Sequence, residues 1–151
     1  MRILNEVTFD EVLSCHNREN LGSKSFGYTA GRLRMADTEV GAKWTLVILS
    51  REDILSIMLP PHKNHDPEVL IPDPGSTVSV VAGNVRELTR ETGRCWENIY
   101  FHKNIDFSQT HIFLKCENGR LKHLDGLHRL LAWVVFEKNE EMLAYVAGVT
   151  Q

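Results

Sequence analysis

Five consecutive residues, Asp125-Gly126-Leu127-His128-Arg129, bring a carboxylate, a glycine, an imidazole and a guanidinium into one short stretch. The surrounding segment, His111 to Trp133, reads as a strand (111–115), a tight turn at Glu117-Asn118-Gly119, a return strand (120–124) and then a helix. Asn-Gly suits the hairpin because both residues tolerate positive φ. A strand that feeds a helix through Asp-Gly presents backbone N–H groups and the positive end of a helix dipole. With a guanidinium one turn in, that is the makeup of an anion site. The same residues also suit a plain structural role, with Asp125 as N-cap and Arg129, four residues on, as its ion-pair partner.

The elements that must position this turn follow in chain order. Thr8-Phe9-Asp10-Glu11 has capping-box spacing and predicts a helix over 9–18. Asn20 to Gly31 holds three glycines and three serine or threonine residues and reads as a connecting loop. It lacks the G-x-x-x-x-G-K-[ST] spacing of a phosphate-binding P-loop. Lys43 to Leu49 is continuous in apolar and β-branched residues and reads as a buried strand, after which Ser50 and Asp53 cap a short helix to about Met58.

All five prolines then fall between Pro60 and Pro74, a window that forbids regular helix or central strand. It carries His62, Lys63, His65, Asp66, Glu68 and Asp73, a polar set suited to closing over a substrate. His62 and His65 with Asp66 invite a metal reading, but the spacing is not a standard one and no third ligand is indicated. No metal site is assigned on that basis.

Val78 to Val81 reads as a short strand, and Asn84 as the cap of a helix to about Thr92. Trp96, Ile99, Tyr100 and Phe101 suggest a second short helix. Beyond the motif, Leu127, Leu130, Leu131, Val134 and Val135 keep helical spacing, and Met142 to Ala147 closes the chain as a strand.

At 151 residues, 42% of them hydrophobic, the chain suits one domain with a real core. A net charge of −3 argues against a protein that coats nucleic acid. Three widely spaced cysteines without a C-x-x-C suggest neither a disulfide framework nor a cysteine zinc site, and favour a reducing compartment. No signal-like N-terminal run and no bilayer-length apolar segment are present, so a soluble cytoplasmic protein is expected.

The segment Glu117 to Ala132 resembles the signature G-x-x-x-x-x-D-G-x-H-R-x-x-A of the ParB N-terminal domain and sulfiredoxin superfamily. The order of elements over residues 85–147 is similar to that group as well. The resemblance implies an α+β fold, a single compact domain whose mixed sheet packs against helices. Residues 43–151 would form the core, with 1–42 as an N-terminal extension. It also implies a nucleotide site in which Gly126, His128 and Arg129 contact phosphates. Leu127 stands where a sulfiredoxin needs its cysteine. The turn reads His-Arg rather than Arg-Arg, and the chain stops at Gln151, so a partition protein acting on DNA is not expected.

The branch this chain resembles more is the free serine kinases. That implies phosphoryl transfer between ATP or ADP, with Mg²⁺, and a small hydroxy amino acid. Asp125 would act as general base or metal ligand, with His128 beside it. The family's second carboxylate has no secure position here; Glu68, Glu87, Glu91 and Glu97 all compete. A module of the same fold that binds a nucleotide or anion without chemistry is the alternative.

Overall fold

The computed structural model describes residues 1–23, 26–41, 43–63, 69–71, 76–89 and 93–150. Strand β1 (Arg2–Val7) leads into helices α1 (Phe9–Glu19) and α2 (Phe26–Val40), then β2 (Trp44–Leu49) and α3 (Arg51–Ser56). Short strands lie in the proline-rich window, β4 (His62–Lys63) and β5 (Val69–Ile71), and flank it, β3 (Met58–Leu59) and β6 (Ser76–Thr77); in chain order they run β3, β4, β5, β6. Helices α4 (Val78–Thr89) and α5 (Arg94–Phe101) precede the hairpin of β7 (His111–Glu117) and β8 (Arg120–Asp125). Helix α6 (Leu127–Val135) and β9 (Met142–Ala147) complete the order.

Among the described residues, seven strands form one mixed sheet in the order β1-β2-β9-β7-β8-β3-β6, while β4 and β5 pair separately. β7 runs antiparallel to β8 and parallel to β9, and β3 is parallel to β8. Alternate residues of the central strands therefore feed two cores. Val47, Leu114, Leu121, Ala144 and Val146 join the cluster under α4, α5 and α6. Trp44, Phe113, Leu124 and Ala147 join the one under α1 and α2. The architecture is an α+β domain with helices on both faces of a mixed sheet. No helix among the described residues is long and apolar enough to cross a membrane.

Several local expectations hold for the reasons given. Thr8 and Glu11 form the capping box of α1, and Ser50 and Asp53 that of α3. Asn118 and Gly119 both take positive φ, 52° and 74°, in the β7–β8 turn. Two expectations fail. The glycine-rich stretch is helical from Phe26 onward: Gly27 and Gly31 lie on its exposed side, where no Cβ is needed, while Thr29, Ala30, Leu33 and Ala36 are buried. Val78 to Val81 opens α4 rather than forming a strand, so Asn84 lies inside that helix and does not cap it. Val78, Val81 and Val85 recur at helical spacing in the core, and that burial outweighs the strand preference of β-branched residues.

Residues 1–42, set apart from the sequence as an extension, supply the edge strand β1 and both helices of one layer. β1 is almost wholly exposed, so no apolar alternation announces it.

Candidate functional site

The turn at Asp125 begins with an irregularity in β8. Asp125 pairs with Phe113 and His123 with Leu114, so Leu124 is an extra residue in the ladder. Such a bulge reverses the alternation beyond it. Asp125 consequently emerges on the same side as Leu124 and Phe113, toward α1 and α2. Arg32 of α2 clamps the irregular backbone, donating to the carbonyls of Leu124 and His123 at 2.6 and 2.7 Å. Replacing Arg32 with alanine removes both charge-assisted bonds and is expected to cost about 1–2 kcal/mol in urea unfolding.

Gly126 ends the strand with φ 101° and serves as N-cap of α6 without a side-chain capping bond. Asp125 is therefore not the cap, and the N–H groups of the first turn of α6 are left without one. A Cβ at position 126 would lie 2.7 Å from Ile112 Cδ1 and 3.5 Å from a guanidinium nitrogen of Arg129. Glycine is required here by the positive φ and by Ile112; the distance to the guanidinium is ordinary van der Waals contact.

Arg129 is only 9% exposed and sits between two carboxylates. Its Nη2 is 3.6 Å from Asp125 Oδ2 and its Nη1 is 3.7 Å from Glu19 Oε2. Both exceed hydrogen-bond length, and Glu19 Oε2 is buried with no hydrogen-bond partner among the described residues. Asn20 donates to Asp125 Oδ2 at 3.3 Å. His16, wholly buried, approaches the same oxygen at 3.7 Å while its Nε2 lies 2.7 Å from Thr29 Oγ1.

The second carboxylate beside Asp125 is thus Glu19 of α1. Of the sequence candidates, Glu97 is exposed on α5, Glu68 and Glu91 lie outside the described residues, and so does the side chain of Glu87. A signal was available. Val12, Cys15, His16 and Glu19 share a stripe of α1 that turns from apolar to polar, which a helix packed only on hydrophobic core does not need.

Glu19 also binds His111, whose Nδ1 is 2.9 Å from Glu19 Oε1 and 3.3 Å from Cys15 Sγ. Burial opposes the charge on His111, but Cys15 and Glu19 outweigh it and raise the imidazole from 6.5 to about 9. The folded value exceeds the unfolded one. The stabilisation is therefore whole below the unfolded value and is lost as pH rises through about 9. Discounted for the solvent that reaches this ring, it amounts to about 1–2 kcal/mol. Denaturant midpoints taken at about pH 6 and about pH 9.5 should fall further for the native chain than for His111→Gln.

His128 takes the other direction. No hydrogen bond or ion pair joins it to Asp125 among the described residues. Its ring stands edge-on to His62 with centroids 5.6 Å apart. Burial, then His62 and His102, push it down to about 3, so it is neutral at ordinary pH. Behind it His123, 7% exposed, is held well below its ordinary value by burial and by Arg32, His128, Arg129 and His62.

The structure therefore joins Asp125, Gly126 and Arg129 and places His128 apart from them. It brings His62 of the substrate set to His128. The Lys63 backbone pairs with Val69, and His65 and Asp66 lie outside the described residues. A cavity of about 480 Å³ opens beside the β8 bulge, lined by Arg32, Met35, Met58, Leu59, Lys115 and Lys122 together with His123 and Leu124. Asp125, Gly126 and Arg129 do not line it.

Over its whole length, residues 1–151, the chain matches the model of a family of unknown function, DUF6309, and it belongs to that family. No curated protein and no solved structure matches it.

Proposed function

We propose that the chain binds the phosphates of a nucleotide at the N-terminus of α6 and transfers a phosphoryl group between that nucleotide and a small hydroxyl-bearing substrate such as an amino acid. The observation that carries this reading is a buried guanidinium held between Glu19 and Asp125 at a helix N-terminus with no side-chain cap. The resemblance of Asp125-Gly-Leu-His-Arg129 to the ParB and sulfiredoxin-like signature adds to it.

Phosphoryl transfer asks mainly for positioning and charge stabilisation. Arg129 and the N–H groups of α6 would hold the phosphates. Glu19 Oε2, buried and without a hydrogen bond among the described residues, and Asp125 are hard oxygen donors that fit Mg²⁺, the ion that neutralises phosphate charge when bound. One of these carboxylates would take the proton from the attacking hydroxyl. The neighbouring cavity, with apolar walls from Met35, Met58 and Leu59 and cations from Arg32, Lys115 and Lys122, suits the rest of an anionic ligand.

One observation favours a second reading, binding without transfer: His128 stands against His62, with no hydrogen bond or ion pair to Asp125 among the described residues, so the imidazole of the motif is not placed beside the carboxylate that would serve as base. Titration calorimetry with ATP and ADP in Mg²⁺, followed by ³¹P spectroscopy with a panel of amino acids, separates the two. Arg129→Lys keeps the charge but loses the two-pronged donor, and should weaken nucleotide binding at least tenfold. Glu19→Gln should preserve binding and abolish turnover. Binding without product in the native chain selects the second reading, and no binding at all overturns both.

A further inference from the structure

We propose that His62, Cys95 and His128 form a binding site for a zinc ion. One ligand atom from each of the three side chains lies within 4.8 Å of the other two. A tetrahedral zinc with ordinary Zn–N and Zn–S bonds holds its donors roughly 3.4–3.7 Å apart, so closure asks for shifts of about 1 Å. The three residues come from separate elements, β4, α5 and the first turn of α6. Cys95 is wholly buried, so this is no chance gathering of surface groups.

A second observation points to a ligand. His128 Nε2 is buried and has no hydrogen-bond partner among the described residues. Buried imidazole nitrogens are rarely left unsatisfied, and metal coordination is one of the few partners that satisfies several at once.

The donor set selects the ion. Two imidazoles and a thiolate are borderline-soft ligands that suit zinc and disfavour Mg²⁺ or Ca²⁺, which demand oxygen. The site is therefore separate from the carboxylates of Glu19 and Asp125, and the proposal stands without the phosphate reading. Sequence spacing pairs His62 with His65; the fold pairs it with Cys95 and His128, which no short motif connects. Binding would deprotonate the Cys95 thiol, transfer its sulfur lone pair to the ion and release about one proton per zinc. It would also tie the proline-rich window to α5 and α6.

The full chain, stripped of metal with a chelator and dialysed, would be titrated with Zn²⁺ and separately with Co²⁺ as a spectroscopic probe. Expected are one zinc per chain by elemental analysis, a rise in melting temperature with Zn²⁺ but not Mg²⁺, and a Co²⁺ spectrum with tetrahedral d–d bands and a thiolate-to-metal charge-transfer band. Cys95→Ser should erase the charge-transfer band, and His128→Gln should lower zinc affinity roughly a hundredfold or more. His62→Gln, on a short strand outside the main sheet, supplies a variant that keeps its fold. Cys15→Ser, on the opposite face of the sheet, should leave the spectrum unchanged. Substoichiometric zinc, a Co²⁺ spectrum without the thiolate band, or full binding by His62→Gln would overturn the site.

Discussion

Replacing Gly126 with alanine is expected to lower the free energy of unfolding by about 2–4 kcal/mol. That is on the order of 5–15 °C in Tm for a domain of this size. Two costs combine. A φ of 101° is a backbone conformation that side-chain-bearing residues rarely adopt. The new methyl group would also stand 2.7 Å from Ile112 Cδ1. That atom is the far end of a side chain, but Ile112 is 1% exposed and packed into the larger core, so it has little room to retreat.

Gly119→Ala provides the control, because Gly119 has the same hand of backbone (φ 74°) with nothing within 4 Å of the added atom. It should cost about 1 kcal/mol, the conformational part alone. Ile112→Val deletes Cδ1, so the Gly126→Ala penalty should shrink in that background. Equal penalties in the two backgrounds would remove the steric half of the argument.

Truncating Arg129 to alanine should cost about 3 kcal/mol, measured by urea denaturation at neutral pH. An exposed i, i+4 pair is worth only about 0.3–0.5 kcal/mol, and spacing alone gives no reason to expect more from Asp125 and Arg129. Burial changes the estimate. Removing the guanidinium leaves Asp125 and Glu19, 14% and 12% exposed, facing one another with no cation between them. The cost is mostly that of Asp125 losing its cation while Glu19 keeps only the His111 imidazolium on its other oxygen, so Glu19→Gln in the Arg129→Ala background, which removes the repulsion between the two carboxylates, should recover part of it. A loss below about 0.5 kcal/mol would mean that solvent reaches the pair.

Local chemistry was legible where the sequence alone decides the outcome. Asn118-Gly119 specified a turn with two positive φ angles, Thr8 and Ser50 announced their helices, and the run from Trp44 to Leu49 was apolar enough to be a central strand. What stayed hidden depends on tertiary neighbours. Gly27 and Gly31 look like loop residues until one knows that their side of α2 faces outward. Val78 to Val81 looks like a strand until three of its neighbourhood's valines are seen to share one helix face.

The site failed to be read for a related reason. Glu19 and Cys95 lie far from the motif in the chain, and the stripe on α1 that marks Glu19 as inward-facing does not say which distant element it meets. The direction of Asp125 turned on the one extra residue at Leu124, which reverses every side chain after it.

His128 and Arg129 are adjacent on the first turn of α6 and so project about 100° apart around its axis, one against His62 and the other against Glu19. The helix is therefore a lever with two loads. A rotation about its axis that draws Arg129 toward the carboxylates swings His128 relative to His62, and the reverse holds equally. A ligand on one side that bound a shifted α6 more tightly would change affinity on the other side, and by thermodynamic reciprocity the factor would be the same in both directions.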